Sequence, residues 1–123
     1  MAWFKVDDTL HSHPKARKAG LAAMGLWALG GAFSSQYATD GWVPDWYVTS
    51  ILNGKRAANA LVDAGLWTRA VIEGEGGYQF HDWEHYQPSK AEIERERAAS
   101  RERQRRWREN RRNAVTNAES DAT

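Results

Sequence analysis

The sequence contains no cysteine among its 123 residues. Without cysteine the chain can have neither disulfide bonds nor thiolate zinc ligands, and such a composition suits a reducing cytoplasm. The N-terminus Met1-Ala2-Trp3-Phe4-Lys5-Val6-Asp7-Asp8 also lacks the basic and apolar regions of a signal peptide. We therefore expect a cytoplasmic protein, and its length fits one small domain plus a tail.

Charge is absent from Ala19 to Ala38. The length of this segment suits a membrane span of about 20 residues. Its glycines and serines, however, make it too weakly apolar for membrane insertion. The better interpretation is a central helix that a small domain buries on most sides. We expect no association with a membrane.

The formal net charge of +1 conceals an uneven distribution. Residues 1–89 hold seven Lys/Arg and nine Asp/Glu, which gives −2. Residues 90–112 hold ten Lys/Arg and five Glu, which gives +5, and residues 113–123 hold two acidic residues, which gives −2. The basic character therefore lies in the C-terminal part of the chain.

The first half of the chain contains signals for one strand and three helices. Residues 3–6 are predicted to form a short strand, and His13-Pro14 starts a helix because proline suits the first helical turn. The long uncharged helix ends before Thr39-Asp40-Gly41, a strong turn signal. Trp42-Val43 can make one brief extended pairing before Pro44 begins the next helix. The apolar face expected for that helix comprises Trp46, Tyr47, Val48, Ile51 and Leu52.

A further short helix and a hairpin follow. Asn53 is a good N-cap, and the helix from Lys55 to about Ala64 ends at Gly65. The solvent face predicted for this helix carries Lys55, Arg56, Asn59 and Asp63. Residues 66–72 and 78–83 are rich in strand-forming side chains and flank the glycine-rich residues 73–77. This pattern predicts a hairpin with a glycine-rich loop.

The chain divides into three segments. Residues 1–88 are expected to form a domain, residues 89–113 an arginine-rich helical tail, and residues 114–123 a disordered C-terminus. Ser89 and Glu92 form a capping box at the start of the tail. The fold class expected is mainly α with a small β-hairpin: a winged helix-turn-helix followed by an extended arginine-rich C-terminal helix.

Two helices joined by a short glycine-containing turn indicate a helix-turn-helix, and a hairpin after the second helix makes it winged. Such a recognition helix enters the major groove of DNA. Arg56 can bind guanine, Asn59 adenine, and Lys55 a phosphate or guanine. A second basic cluster in the first helix comprises Lys15, Arg17 and Lys18. Because fold does not fix function, ordinary solvated charges are the alternative interpretation.

Several segments resemble one family: residues 1–8, 11–15, 40–44, 61–67 and 78–87. They are similar to the N-terminal winged-helix domain of phage and prophage replication initiators, the DnaD-like replisome organisers, above all those of actinobacterial phages. The ending His81-Asp82-Trp83 followed by Tyr86-Gln87 is the most specific part. The resemblance implies a protein of the bacterial host cytoplasm that binds double-stranded DNA, self-associates or recruits replication proteins, in replication initiation or its regulation.

Two features depart from that family. The chain lacks the second helical domain of full replisome organisers, and the expected wing tip carries Glu73 and Glu75, which repel phosphates. Arg69 on the wing strand is therefore the better candidate for a DNA contact.

The sequence predicts no enzyme, no cofactor and no metal site. His81-Asp82-Trp83-Glu84-His85 matches the H-x-x-E-H pattern of some zinc proteases, but that pattern requires a helix and His81 ends a predicted strand. No nucleophile stands beside a base.

The tail is the second candidate site. Its arginines can become ordered on phosphate backbones, and Trp107 can stack on a base or anchor a partner. The DNA contacts expected there are Arg101, Arg105, Arg106, Arg108 and Arg112. The alternative is a solvated, partly frayed helix. For the whole protein, the alternative to DNA binding is an interaction protein that uses the winged helix to bind a host or phage protein, with an exposed apolar patch in place of a basic one.

Overall fold

The computed structural model describes the backbone of residues 2–121 and the side chains of residues 2–115. The chain forms two compact units, residues 1–90 and residues 91–123. The protein is mainly helical, with a small three-stranded antiparallel sheet and a long C-terminal helix.

The first unit begins with an extended segment and a short 3-10 helix, Leu10–Ser12. Its helices are α1 (Pro14–Ala19), α2 (Leu21–Tyr37), α3 (Asp45–Ser50), α4 (Gly54–Asp63) and α5 (Trp83–Tyr86). Its strands are β1 (Trp42–Pro44), β2 (Trp67–Ile72) and β3 (Glu75–Phe80). The described part of the second unit consists of α6, Lys90–Asp121, whose first residue still belongs to the first unit.

The predicted strand at residues 3–6 is wrong, because the structure has no regular element there. The backbone of Lys5 bonds instead to one side chain: Lys5 N donates to Gln87 Oε1 at 2.9 Å, and Gln87 Nε2 donates to Lys5 O. The ring of Phe4 stacks on Trp83 with centroids 5.8 Å apart. The N-terminal segment is therefore held by side chains rather than by a neighbouring strand.

The brief pairing predicted for Trp42-Val43 is confirmed, since β1 pairs antiparallel with β3. The sheet has the order β1-β3-β2, and Trp67 lies opposite Phe80. The hairpin is tighter than predicted. Only Glu73 and Gly74 form the turn, both with positive φ, as in two-residue hairpin turns.

The remaining glycines of the predicted loop, Gly76 and Gly77, lie in β3. These positions require glycine because neighbouring groups leave no room for a side chain. A Cβ on Gly77 would lie 2.5 Å from the carbonyl oxygen of Val43. A Cβ on Gly76 would lie 2.7 Å from a carboxylate oxygen of Asp45.

The core lies between α2, α4 and the sheet. It includes Leu26, Val43, Leu61, Trp67 and Phe80, all of them buried. α2 is less buried than expected, because one of its faces is exposed along most of its length. Among the described residues, no helix is long and apolar enough to cross a membrane.

The described part of the second unit is a single helix. The sequence predicted the helical tail to about residue 113 and disorder from residue 114, whereas α6 continues to Asp121. Residues 122–123 of that predicted segment lie outside the described residues.

Candidate nucleic-acid interface

α3 and α4 are joined by a tight turn at residues 51–53. Gly54 N donates to the carbonyl oxygen of Ile51 at 2.9 Å, and Asn53 occupies the N-cap position with a φ of 61°. A Cβ on Gly54 would overlap the carbonyl oxygen of Val48. Glycine is therefore needed here for the two helices to approach each other, which explains the Asn53-Gly54 break seen in the sequence.

α4 presents one polar face to solvent. Ala58 and Leu61 are buried against the core, whereas the outer positions of the helix are exposed. These outer residues are Lys55, Arg56, Asn59 and Asp63, as the helical spacing predicted. Two cations and an amide thus occupy the first two turns of the exposed face.

The first basic cluster divides between two sides of α1. Lys18 Nζ donates to the carbonyl oxygen of Asp63 at 3.3 Å, and Lys15 Nζ lies 3.6 Å from the position of a Cβ on Gly65. Both lysines are therefore beside the C-terminal end of α4. Arg17 lies on the other side of α1, where it lines a groove with Asp7 and other residues.

Arg69 is not a free cation. Its guanidinium pairs with both carboxylate oxygens of Asp45 at 2.5 and 3.1 Å, and it lies 4.6 Å above the ring centroid of Tyr78. The hydrogen bonds from Arg69 lower the pKa of Asp45 below its usual range, and the charge of Lys55 lowers it further. The pKa of Arg69 is raised by the same pair. A phosphate at Arg69 would have to compete with this carboxylate.

The hairpin tip is acidic and apolar. Glu73 and Glu75 are exposed, as are Val71 and Ile72.

Two apolar residues around the α3–α4 turn are also exposed. Leu52, just before α4, is 91% exposed, and Trp46, within α3, is 60% exposed. The prediction that both belong to the buried face of their helix is therefore wrong, whereas Val48 on that face is buried as predicted.

Some arginines of α6 are paired with glutamates and others are not. Arg105 and Arg106 pair with Glu102, Arg105 also with Glu109, and Arg103 with Glu96, at distances from 2.6 to 3.1 Å. Within the described part of the chain, Arg101 and Arg108 have no ion-pair partner. Residues 101, 105, 108 and 112 are spaced four, three and four apart, and so lie on one face. Trp107 is 60% exposed, with Arg111 over its ring.

The histidine motif does not form a metal-binding cluster in the described part of the chain. His81 Nε2 lies 3.0 Å from Oδ2 of its neighbour Asp82, and His85 lies within the four-residue helix α5. No group of three His, Asp or Glu side chains that could hold a metal ion occurs among the described residues.

Sequence reasoning missed the role of Asp45. Its partner Arg69 is 24 residues away, and only the pairing of β3 with β1 and β2 brings them together. No local pattern could have indicated this pair.

Comparison with known proteins finds no matching family model, no matching curated protein and no matching solved structure.

Proposed function

We propose that the first unit is a winged helix-turn-helix that binds double-stranded DNA, with α4 as the recognition helix. The order α2, β1, α3, α4, β2, β3 supports this, because a tight turn joins α3 to α4 and the β2–β3 hairpin follows directly. Recognition helices in such folds bind the major groove through residues near their N-terminus.

The main support for DNA binding is that cations lie at both ends of the exposed face of α4. Lys55 and Arg56 lie in its first turn, and Lys15 and Lys18 lie beside its last turn. The eight residue steps from Lys55 to Asp63 measure about 12 Å at 1.5 Å per step. The major groove is also about 12 Å wide, so we expect the two clusters to contact phosphates on its two sides.

The side chains between these clusters suit base edges. Arg56 can donate two hydrogen bonds to guanine, and Asn59 can pair with adenine. Lys55 suits a phosphate near the helix N-terminus, where the helix dipole also favours an anion. Specificity would then depend on Arg56 and Asn59, while the lysines would supply affinity.

For biological context we propose initiation or regulation of phage or prophage DNA replication in the bacterial host. The first support is the resemblance to the DnaD-like family. The second is that the most specific segment of this resemblance packs against the N-terminal residues. Trp83 in that segment packs on Phe4, and Gln87 binds the backbone of Lys5.

One observation favours a second candidate, an adaptor that binds a host or phage protein. The exposed side chains of Leu52, Trp46 and Val71 are apolar, and the hairpin tip is acidic. Exposed apolar patches are typical of protein interfaces, whereas glutamates repel phosphates.

Binding of labelled duplexes by two double variants separates these candidates. The Lys55→Ala, Arg56→Ala variant and the Lys5→Ala, Arg17→Ala variant each remove two positive charges from the first unit. We expect the first variant to lose at least about tenfold in affinity at low salt, and the second to lose much less. Equal losses would show that α4 is not the interface. No binding by the unmodified protein would leave the adaptor.

A further inference from the structure

Trp107 is an exposed aromatic residue within α6. Its side chain is 60% exposed, whereas aromatic side chains of this size usually contribute to cores and interfaces. The guanidinium of Arg111 lies 5.3 Å from the centre of its ring. Because the guanidinium covers one face of the indole, the opposite face is left for a ligand. Tryptophan at this position therefore suits contact with another molecule.

Trp107 belongs to a strip of residues whose side chains suit a nucleic-acid base. Ser100, Gln104, Trp107 and Arg111 are spaced four, three and four residues apart, so they lie along one side of α6. The hydroxyl of Ser100 and the amide of Gln104 can donate and accept hydrogen bonds. The indole and the guanidinium offer flat surfaces on which a base can stack. These four residues form the stacking strip.

A second strip of α6 carries only arginine. Its members are Arg101, Arg105, Arg108 and Arg112, each of which follows a member of the stacking strip in sequence. This arginine strip lies about a quarter turn around the helix from the stacking strip, and it is about 17 Å long at 1.5 Å per residue. Arg101 and Arg108 have no ion-pair partner in the described part of the chain. Arginines in such a row can bind successive phosphates.

The carboxylates of this part of α6 lie away from Trp107. From residue 100 to residue 115 the acidic residues are Glu102 and Glu109, which are seven residues apart and so share one side of the helix. At 3.6 residues per turn they lie roughly 140° to 160° around the helix from Trp107. Both pair with Arg105, at 2.6 and 2.7 Å. A polyanion on the stacking strip would therefore meet arginine on its flank, with the glutamates on the far side.

We infer that α6 binds RNA stem-loops, with an unpaired base stacked on Trp107 and the phosphates of the stem on the arginine strip. Paired bases offer only their edges to the grooves, so the face of an indole needs an unpaired base. Folded RNA presents such bases in loops beside paired stems, and proteins bind them by stacking on aromatic rings and guanidinium planes. Ser100 and Gln104 can also bond the ribose 2′-hydroxyl, which DNA lacks. This function goes beyond duplex binding by α4 and does not depend on it.

A stacking measurement tests the role of Trp107 in the full chain. The probes are an RNA stem-loop with a fluorescent adenine analogue in its loop and the blunt RNA duplex of the same stem. We expect the stem-loop to bind at least about tenfold more tightly than the duplex, with quenching of the loop base. Trp107→Ala should abolish the quenching and lower stem-loop affinity roughly fivefold to a hundredfold. Trp107→Phe should retain most of both.

Trp46→Ala is the matched control, since it removes a tryptophan of equal exposure from α3. We expect it to change neither the quenching nor the affinity for the stem-loop.

Charge substitutions separate stacking from attraction to phosphates. Replacing Arg101 and Arg108 with glutamine should weaken binding of the stem-loop and of the blunt duplex by similar factors, because both contain phosphates. Trp107→Ala should weaken only the stem-loop. Equal affinity of the unmodified protein for stem-loop and duplex, or quenching that survives Trp107→Ala, would overturn the inference. Equal or tighter binding of the DNA stem-loop of the same sequence would overturn the assignment to RNA.

Discussion

The ion pair between Asp45 and Arg69 determines what the hairpin strand can offer a ligand. Arg69 was predicted to contact DNA, but the carboxylate of Asp45 occupies its guanidinium and the ring of Tyr78 lies beneath it. Both partners of the pair are about half exposed. Surface pairs of this kind stabilise a fold by only about 0.2–1 kcal/mol. The pair therefore contributes little to stability, and its main effect is to occupy the guanidinium of Arg69.

Asp45→Asn should strengthen DNA binding while weakening the fold slightly. The substitution releases Arg69 and removes a carboxylate whose charge acts on Lys55, so we expect a rise in duplex affinity of about threefold to tenfold at low salt. The free energy of unfolding should fall by no more than about 1 kcal/mol. Fluorescence anisotropy and urea unfolding measure the two effects. Unchanged affinity would place Arg69 away from the interface.

The stability cost of Asp45→Asn should depend on pH. Because Arg69 lowers the pKa of Asp45 below its usual 3.8, the pair stabilises the fold above that value and its contribution is lost as pH falls through the folded-state pKa. The difference in unfolding free energy between Asp45→Asn and the unmodified protein should be constant from about pH 5 to 7. It should shrink below about pH 4. A difference that grows on acidification would contradict the assignment.

Arg56 is the residue on which sequence preference should depend. Arg56→Ala should weaken binding to a preferred duplex by about 1–3 kcal/mol and affect random duplexes less, because a bidentate contact to guanine is lost. Arg17→Ala removes the same charge from the far side of α1 and serves as the control. Equal loss on preferred and random duplexes would mean that Arg56 contacts only phosphates.

At the level of elements, local signals predicted α4 well. Its exposed Lys55, Arg56 and Asn59 follow from helical spacing, and its ends follow from the Asn53-Gly54 break and Gly65. Asn53 occupies the predicted N-cap position, but its side chain makes no capping hydrogen bond. The exposed face and the ends could be predicted because each depends on neighbours within a few residues in sequence.

Elements that depend on distant residues could not be predicted in this way. Gly76 and Gly77 lie within a strand and not in a turn. Glycine is required at these positions because Asp45 and Val43 approach too closely for a side chain. Residues 3–6 look like a strand, but the side chain of Gln87 takes the place of a pairing strand. For the candidate site, spacing predicted that Lys55 and Arg56 lie on the exposed face of α4, as observed, but it could not separate Arg17 from Lys15 and Lys18.

α6 should contribute affinity without sequence preference. A truncation after residue 99 removes Arg101, Arg105, Arg106, Arg108 and Arg112 and retains Ile93, which is buried. We expect it to lower affinity for all duplexes by similar factors and to flatten the salt dependence, since screened charge does not distinguish bases. Loss of preference with unchanged nonspecific affinity would make α6 the element that recognises sequence.

A matched pair of variants tests which face of α6 acts. Arg101 and Arg108 lack ion-pair partners among the described residues, whereas Arg103 and Arg106 are paired with glutamates. Replacing the first two with glutamine should therefore reduce affinity more than replacing the second two, at equal change in charge. The reverse order would show that the paired arginines exchange their glutamates for phosphates.

In the whole molecule, the packed domain and most of the positive charge lie in different parts of the chain. Residues 1–89 have a net charge of −2 and contain the packed core, whereas residues 90–112 have +5 within a single helix. Long-range attraction to DNA should therefore arise mainly from α6, and the fit to a groove from α4. Neither part alone would give both affinity and preference.

The salt dependence of duplex binding tests whether the cations of α4 and α1 bind DNA phosphates. Four cations lie on or beside α4: Lys55 and Arg56 in its first turn, and Lys15 and Lys18 beside its C-terminal end. If each neutralises one phosphate, log affinity should fall with log salt at a slope of about −3.6, or steeper if α6 also binds, which is a loss of at least about a hundredfold between 50 and 200 mM. A titration of labelled duplex with the full chain at both salts measures it. Absence of binding at low salt, or affinity that does not change with salt, would show that these cations do not bind DNA.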